Sequence, residues 1–426
     1  MWNESAAIEP QSYEDAVNHP LYNKEWAAAI QEEYDLLMKN GAWELVDLPR
    51  GKNIVSCKWV FKAKQDANDN VVRFKARLIP MGFSQAYGIN YFDTFAPMAK
   101  LTTYRVIFAL AALEQWEIHG MDVITAYLLG KLNEEIYMMQ PEGFVRMGMK
   151  RNMVCRLLKS LYGFKQAARV RNLKIHAFLV KIGFVRSSVD PCLYIDVKRC
   201  LYITIWVDDL LIVGKNGMDI TKVKAQFSGE FEMKDLGKLE HFLGMRISRH
   251  NDGISIDQNG YIRQIFERFG MEASKSVSTP SATGSRLYPA MNGSYANTTD
   301  IKQYQAMVGS LIYAMLCTRP DLAHKIQQLS LFNSNPTNAH LQAAKRAFRY
   351  LQGSQTTGLI YNGNITGPIQ CYCDADYTAD GDRKSISGNL FTLVARPSPT
   401  KRKSKPQLLS RRSNRNMLQW RMQQRR

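Results

Sequence analysis

The chain has 426 residues, a formal net charge of +18 and 45% hydrophobic residues. This composition argues against wholesale disorder, and the longest apolar run, Val106–Leu113, is far shorter than the roughly 20 residues that a membrane-spanning helix needs. The N-terminus has no basic segment followed by an apolar one, and the seven cysteines form no CxxC pair, so neither a secretory signal nor a zinc module is indicated.

The positive charge is unevenly distributed. Residues Arg383 to Arg426 contain 13 basic residues and no acidic one, which leaves a charge of +5 on the first 382 residues. A moderately basic body is typical of an enzyme that holds a polyanion. Because neither a secretory signal nor an apolar span is indicated, we expect an intracellular protein that is not secreted and has no membrane segment.

Apolar spacing predicts the secondary structure along the chain. Helices are predicted at 24–39, 101–115, 165–181, 261–270, 301–316, 320–332 and 337–352. Strands are predicted at 57–64, 71–79, 121–123, 358–362, 369–376 and 388–395, and hairpins at 201–213, within the apolar run 201–214, and at 244–257. Residues 273–300 are rich in Ser, Thr, Asn, Pro and Gly, and we expect a linker there.

The hairpin predicted from 57–64 and 71–79 carries many cations for its length. They are Lys58, Lys62, Lys64, Arg73, Lys75 and Arg77. From the residues alone, either a solvated sheet face or an anion-binding surface explains them.

Two adjacent carboxylates, Asp208 and Asp209, interrupt the apolar run LYITIWVDDLLIVG. An unpaired buried carboxylate costs several kcal/mol, so either a turn to solvent or a divalent cation must compensate for it. Asp122 lies in a similar setting, in HGMDVITAYLLG. If the two strands are neighbours, Asp122 and either Asp208 or Asp209 can share two metal ions roughly 3.5–4 Å apart, the arrangement used for in-line phosphoryl transfer.

Eight ordered motifs closely resemble the reverse transcriptase region of copia-type long-terminal-repeat retrotransposon polyproteins, over nearly the whole chain to about residue 395. They are KWVFKAK, FKARLIPMGFSQAYGINYFDTFAP, MDVITAYLLGKLNEEIYMMQPEGF, CRLLKSLYGFKQA, WVDDLLIVG, MKDLGKLEHFLGMRI, MVGSLIYAMLCTRPDL and CYCDADYTADGDRKSISG.

The resemblance implies an α+β fold with right-hand polymerase architecture, in which helices back an antiparallel palm sheet. Fingers and palm would span 1–230. The palm end, a linker and thumb-like or connection-like helices would span 231–355, and a truncated ribonuclease H-like segment with an aberrant basic tail would span 356–426. The implied activity is RNA-directed DNA polymerisation on a template-primer of RNA or DNA with deoxynucleoside triphosphates. The resemblance implies a location in a cytoplasmic particle or in the nucleus. The oligomeric state stays open.

The resemblance also assigns roles to individual residues. Asp122, Asp208 and Asp209 match the polymerase aspartates, which would bind two Mg²⁺ ions, with Asp209 ranked third. Tyr127 would pack under the sugar and exclude a 2′-hydroxyl; an ordinary core tyrosine is the alternative. The proposed substrate contacts are Lys75 and Arg77 on the triphosphate, Gly163 for close backbone approach, and Lys165 and Gln166 on phosphate or base.

Asp374 matches the first metal-binding aspartate of a ribonuclease H domain. The family supplies a glutamate on a later helix, where this chain reads SRRSNRNMLQWRMQQRR without any acid. Because such a site needs several carboxylates, we expect ribonuclease H activity to be lost.

Two departures concern the polymerase itself. The family usually continues KQA with Pro-Arg-x-Trp, whereas this chain has Ala168-Arg169-Val170-Arg171, and Trp206 stands where the family has Tyr. A catalytically inactive remnant that binds nucleic acid therefore stays open beside the polymerase. A two-metal nuclease is a weaker alternative, because its site lacks the later carboxylates.

Overall fold

The computed structural model describes residues 9–65, 70–124, 128, 130, 132–145, 153–282, 284–289, 298–363, 365–376, 386–395 and 409–410. Helices and strands are mixed throughout this part of the chain, which confirms the predicted α+β character.

The N-terminal part joins two helices, a four-stranded sheet and a two-stranded hairpin. Its elements are α1 (Tyr13–Val17), α2 (Asn23–Lys39), β1 (Trp43–Asp47), β2 (Ile54–Val55), β3 (Cys57–Gln65), β4 (Val71–Pro80), β6 (Tyr137–Met138) and β7 (Met153–Leu157). The sheet has the order β1-β7-β6-β2, and β3 pairs with β4.

The β3–β4 hairpin has one apolar face and one basic face, because side chains alternate along a strand. Trp59, Phe61 and Leu78 are buried, and Trp26 of α2 packs edge-on against Phe61. The opposite face carries the predicted cations, with Lys62 directly across from Lys75.

A six-stranded antiparallel sheet with the order β12-β5-β11-β10-β9-β8 forms the middle of the chain. Its strands are β5 (Glu117–Val123), β8 (Val185–Arg186), β9 (Leu193–Asp196), β10 (Leu201–Trp206), β11 (Asp209–Gly214) and β12 (Met233–Lys238). The surrounding helices are α3 (Leu101–Leu113), α4 (Ala167–Lys181) and α5 (Gly217–Glu230).

Both faces of this sheet are covered, which explains its long apolar runs. Leu210 and Ile212 of β11 pack in one cluster with α4 and α5. Leu211 and Val213 point to the other side and pack in a second cluster with α3. The sheet is therefore a rigid base whose strand ends carry the polar residues.

The C-terminal part contains a second small sheet, a helical cluster and a third sheet. Its helices are α6 (Asn259–Phe269), α7 (Thr298–Cys317), α8 (Ala323–Ser330) and α9 (Asn338–Gln352). Its strands are β13 (His241–Phe242), β14 (Met245–His250), β15 (Gly253–Asp257), β16 (Leu359–Asn362), β17 (Ile365–Asp376), β18 (Ile386–Ala395) and β19 (Leu409–Ser410). The two sheets have the orders β13-β14-β15-β16 and β17-β18-β19.

Most predicted elements are present, with changes at their ends. The predicted helix 101–115 ends at Leu113, because Gln115 adopts a positive φ of 55°. The predicted helix 320–332 is a short 3₁₀ turn, Pro320–Leu322, followed by α8. Several elements are absent from the predictions, among them α1, α5, β1, β7, β8, β9 and β12. The two-residue strands β2 and β6 are also absent, since two residues show no periodicity.

Candidate active site

The central sheet brings Asp122 and Asp209 together as direct cross-strand partners. Asp122 lies near the end of β5, and Asp209 opens β11, which pairs antiparallel with β5 in the register Asp209 to Asp122. Directly opposed residues in an antiparallel pair project from the same face of the sheet with Cα atoms about 4.5–5.5 Å apart.

Asp208 lies beside this pair, in the two-residue turn Val207-Asp208 between β10 and β11. Val207 has a φ of 52°, although short hairpin turns that need a positive φ normally use Gly, Asn or Asp. A β-branched residue is strained in this conformation, so the apolar strands on either side hold the turn in a costly geometry.

The three carboxylates are close enough to repel one another. Burial, followed by the negative charges of Asp122 and Asp208, raises the pKa of Asp209 to about 6. Burial and the charge of Asp208 also raise the pKa of Asp122, against the opposing effect of Lys75, Lys234 and Lys64. This electrostatic setting favours a bound cation.

Asp208 is engaged by two protein side chains. The Tyr162 hydroxyl donates to its Oδ2 at 3.1 Å, and Arg171 Nη1 donates to its Oδ1 at 3.1 Å. The Arg171 side chain is 5% exposed and that of Asp208 is 28% exposed, so water screens this ion pair only partly.

The donor set fits a divalent cation in chemistry, since it consists of three mutually repelling carboxylates at neighbouring strand ends. Over the residues that the structure describes, however, no three His, Cys, Asp or Glu side chains are grouped as a ready metal site. Both oxygens of Asp208 accept hydrogen bonds in this structure, from Tyr162 and from Arg171.

The basic face of the hairpin lies close to these acids. The Arg77 guanidinium stacks over the Tyr162 ring, 4.4 Å from its centroid, and Tyr162 in turn contacts Asp208. Burial lowers the pKa of Lys75, and the neighbouring Arg77 lowers it further. Crowded, partly desolvated cations of this kind favour an anion as their partner.

The segment 160–166 lies against the end of β4. Gly163 has a φ of 106°, and a Cβ there would lie 2.7 Å from Ile79 Cγ2. The backbone at Gly163 therefore closely approaches the β3–β4 hairpin of the protein itself.

Lys165 and Gln166 both contact the loop 85–91. Lys165 Nζ donates to the Gln85 carbonyl oxygen at 3.2 Å. Gln166 is buried, accepts from Gln85 Nε2 at 3.0 Å and donates to the Asn90 carbonyl oxygen at 2.8 Å. These bonds give both residues an internal positioning role, and their contact with substrate stays a prediction.

For two of the predicted site residues, the structure gives no side-chain position. Tyr127 lies outside the described residues. The backbone of Asp374 lies in β17, opposite Gly388 of β18. Most of the basic tail, including 411–426, also lies outside the described residues.

Tyr162 and Arg171 are site residues that the sequence did not connect with Asp208. Tyr162 occurs in the motif CRLLKSLYGFKQA without a predicted role of its own, and Arg171 stands where the family usually has Trp. The sequence does contain one signal for the Arg171 contact, which is a charged residue at a helix position expected to be buried. A buried cation requires a partner of opposite charge.

Comparison with known proteins decides the family. Residues 40–283, more than half of the chain, match the family model described as reverse transcriptase (RNA-dependent DNA polymerase). The chain belongs to this reverse transcriptase family. This match and the transposon relatives described below together confirm the predicted relationship to copia-type retrotransposon reverse transcriptases.

The relatives are retrotransposon polyproteins and a shorter transposon protein. The chain is 42% identical over 396 residues to the retrovirus-related Pol polyprotein from transposon TNT 1-94 of Nicotiana tabacum. This alignment covers 90% of this chain and 29% of that polyprotein. The polyprotein from transposon RE1 of Arabidopsis thaliana is 35% identical, over 91% of this chain and 26% of that polyprotein. A putative Ty5-1 transposon protein of Saccharomyces cerevisiae is 33% identical, over 65% of this chain and 89% of that protein.

The reverse transcriptase chain thus spans less than a third of the two plant polyproteins. Among solved structures, a foamy viral protease-reverse transcriptase in complex with double-stranded DNA aligns with a TM-score of 0.46 at 11% identity, over 91% of this chain and 56% of that one. In the part of the chain that is described, no helix combines the length and apolarity needed to cross a membrane.

Proposed function

We propose that this chain is an RNA-directed DNA polymerase that adds deoxynucleotides to a primer by two-metal phosphoryl transfer. The observation that carries the proposal is the register that opposes Asp122 to Asp209, with Asp208 in the adjoining turn. This convergence lies within the residues that match the reverse transcriptase family.

The carboxylates of Asp122 and Asp208, supported by Asp209, would hold two Mg²⁺ ions. When bound, such ions lower the pKa of the primer 3′-hydroxyl and offset the charge that develops on the triphosphate. The protein's own contribution is to fix the three carboxylates on the rigid central sheet, so that little reorganisation is needed during the reaction.

In this proposal the central sheet is the palm, and the β3–β4 hairpin belongs to the fingers. Lys75 and Arg77 would contact the triphosphate, which agrees with their positions near Asp122 and Tyr162. Tyr127 would select the deoxyribose. Helices α6 to α9 would form a thumb-like or connection-like region, and β17 to β19 the remnant of a ribonuclease H domain that no longer cleaves RNA.

In this proposal the segment 83–98 would contact the template. Four aromatic side chains of the segment 83–98 are exposed by 58% or more: Phe83, Tyr87, Phe92 and Phe95. Cations flank them, since Arg169 pairs with Asp93 and Lys165 lies over the Tyr91 ring. Exposed rings beside cations suit single-stranded nucleic acid, whose bases stack and whose phosphates are anionic.

Primer extension on a homopolymer RNA template in Mg²⁺ tests the proposal. We expect the unmodified chain to extend the primer and Asp208→Asn to lose extension by at least about a hundredfold. Asp252→Asn removes an exposed carboxylate in the β14–β15 turn and should leave extension unchanged. Extension that is equal in the unmodified chain and Asp208→Asn, or absent in both, would refute the polymerase assignment.

The inactive remnant is a second candidate, and one observation favours it. The Arg171 guanidinium already neutralises Asp208, where a catalytic chain needs a metal ion. A remnant would bind a template-primer without extending it at any Mg²⁺ concentration. Binding and extension assays on the same preparation separate the two candidates.

A further inference from the structure

Arg171 extends from the second turn of α4 to the carboxylate turn. The residue is 4% exposed, and its Nη1 lies 3.1 Å from Asp208 Oδ1. An arginine side chain remains charged under all ordinary conditions, so burial cannot remove its charge. It therefore provides a permanent positive charge on one of the three carboxylates.

A guanidinium and a divalent cation compete for the same oxygen. Oδ1 accepts from Arg171, and Oδ2 accepts from Tyr162, so each oxygen of Asp208 already has a protein donor at the distance where a metal ion would compete with it. Two cations close to one carboxylate repel each other strongly in a partly buried site. Any metal ion that binds Asp208 must therefore displace or overcome Arg171.

We infer that Arg171 is a built-in competitor that lowers the affinity of the carboxylate cluster for divalent cations. The inference rests on the proposed function in one respect, which is that Asp208 is a metal ligand. It goes beyond that function, because it names the residue that sets the metal concentration at which the site fills.

A purely structural role for Arg171 predicts the opposite sign. If the guanidinium only orients Asp208 for metal binding, its removal weakens the binding of the cation. If it competes, its removal strengthens binding. The sign of the change in metal affinity therefore decides between the two roles.

The test is a titration with Mn²⁺, in which electron paramagnetic resonance reports the free ion, on the full chain without nucleic acid. Arg171→Gln removes the charge and keeps a polar side chain, Arg171→Met removes it with an apolar chain of similar length, and Arg171→Lys keeps it. Arg199→Gln is the matched control, because it breaks another arginine–aspartate pair, with Asp196, at the far end of β10.

We expect Arg171→Gln and Arg171→Met to bind Mn²⁺ at least about tenfold more tightly than the unmodified chain. Arg171→Lys and Arg199→Gln should change the affinity less than about twofold. In an Asp208→Asn background, Arg171→Gln should no longer alter binding, because the contested oxygen has lost its charge.

Equal or weaker Mn²⁺ binding by both neutral variants would overturn the inference. Near-ultraviolet circular dichroism checks their folding, and failure of both to fold would show that Arg171 is a structural residue and also overturn it. Primer extension is a separate readout. Tighter Mn²⁺ binding without extension in any variant refutes only the polymerase proposal, whereas Asp208-dependent extension with unchanged Mn²⁺ affinity refutes only the competition.

Discussion

Gly163 links the segment 160–166 to the hairpin that carries Lys75 and Arg77. Its φ of 106° is accessible mainly to glycine, and a Cβ there would clash with the carbonyl oxygen of Pro80 and with Ile79. A side chain would therefore push Tyr162 and Arg77 apart. The positions of Tyr162 and Arg77 relative to Asp208 therefore depend on Gly163 having no Cβ atom.

Replacing Gly163 with alanine should destabilise the fold by more than the cost of a positive φ alone, because the new Cβ would also clash with neighbouring atoms. Gly183→Ala is the matched control, since Gly183 has a φ of 96° and a Cβ there would have no other atom within 4 Å. We expect Gly183→Ala to lower the free energy of unfolding by about 1–2 kcal/mol and Gly163→Ala by at least about twice that amount. Urea denaturation measures both, and equal losses would show that the approach to Pro80 has no energetic consequence.

The loop 83–98 exposes several aromatic side chains and contacts α4, the helix that carries Arg171. Phe95 is 76% exposed, and its carbonyl oxygen accepts from Arg169 Nη1 at 3.4 Å. Phe92, also exposed, lies in the same loop. Exposed aromatic rings of this kind often mark a surface that a binding partner covers.

Phe92→Ala and Phe95→Ala should weaken binding to a primer-template with a single-stranded overhang. Base stacking contributes about 1–3 kcal/mol per base, so we expect about a fivefold or larger rise in Kd for each variant. Leu331→Ala, at an exposed apolar position in the helical cluster, should not change Kd. Fluorescence anisotropy measures the binding. Unchanged affinity in both phenylalanine variants would exclude the loop from the template path.

A buried ion-pair network holds the C-terminal helices together. The Arg319 side chain is fully buried, and its Nη2 donates to Asp321 Oδ2 at 2.8 Å and to Ser354 Oγ at 2.8 Å. Tyr350 also donates to Asp321. Burial raises the pKa of Asp321, but the hydrogen bonds and charge of Arg319 and the bond from Tyr350 outweigh it, and the net pKa is lowered.

Asp321→Asn should cost about 3 kcal/mol of stability at neutral pH, because it leaves a buried guanidinium without its counter-charge. The depressed pKa means that the stabilisation by Asp321 is complete at neutral pH and is lost as pH falls through the folded-state value, below about pH 4. Stability measured by urea denaturation should therefore fall less steeply with acid in the variant. Identical acid slopes in the variant and the unmodified chain would contradict this account.

For the whole molecule, sequence predicted the parts that depend on local pattern. The apolar run around Asp208 and Asp209 identified a buried hairpin, because alternating faces of β11 pack against helices on both sides. The α+β character followed from the family resemblance. The register that opposes Asp122 to Asp209 required strand order, which no local pattern contains.

Contacts between distant segments could not be predicted. Arg171 lies 37 residues from Asp208 in sequence, and their ion pair arises only when α4 packs beside the β10–β11 turn. Gln166 is buried against the loop 85–91, where its amide bonds groups 76 and 81 residues away, while its predicted contact with substrate stays a prediction. Both sets of contacts concern polar side chains that find partners across the tertiary structure.

The central claim is that Asp122, Asp208 and Asp209 together form a metal-dependent centre. Anomalous diffraction from crystals of the full chain soaked in Mn²⁺ with a template-primer tests it most directly. The account predicts anomalous density within about 2.0–2.3 Å of oxygens from both Asp122 and Asp208, and its loss in Asp122→Asn crystals. Ordered template-primer with no density between these carboxylates at saturating Mn²⁺ would contradict the account.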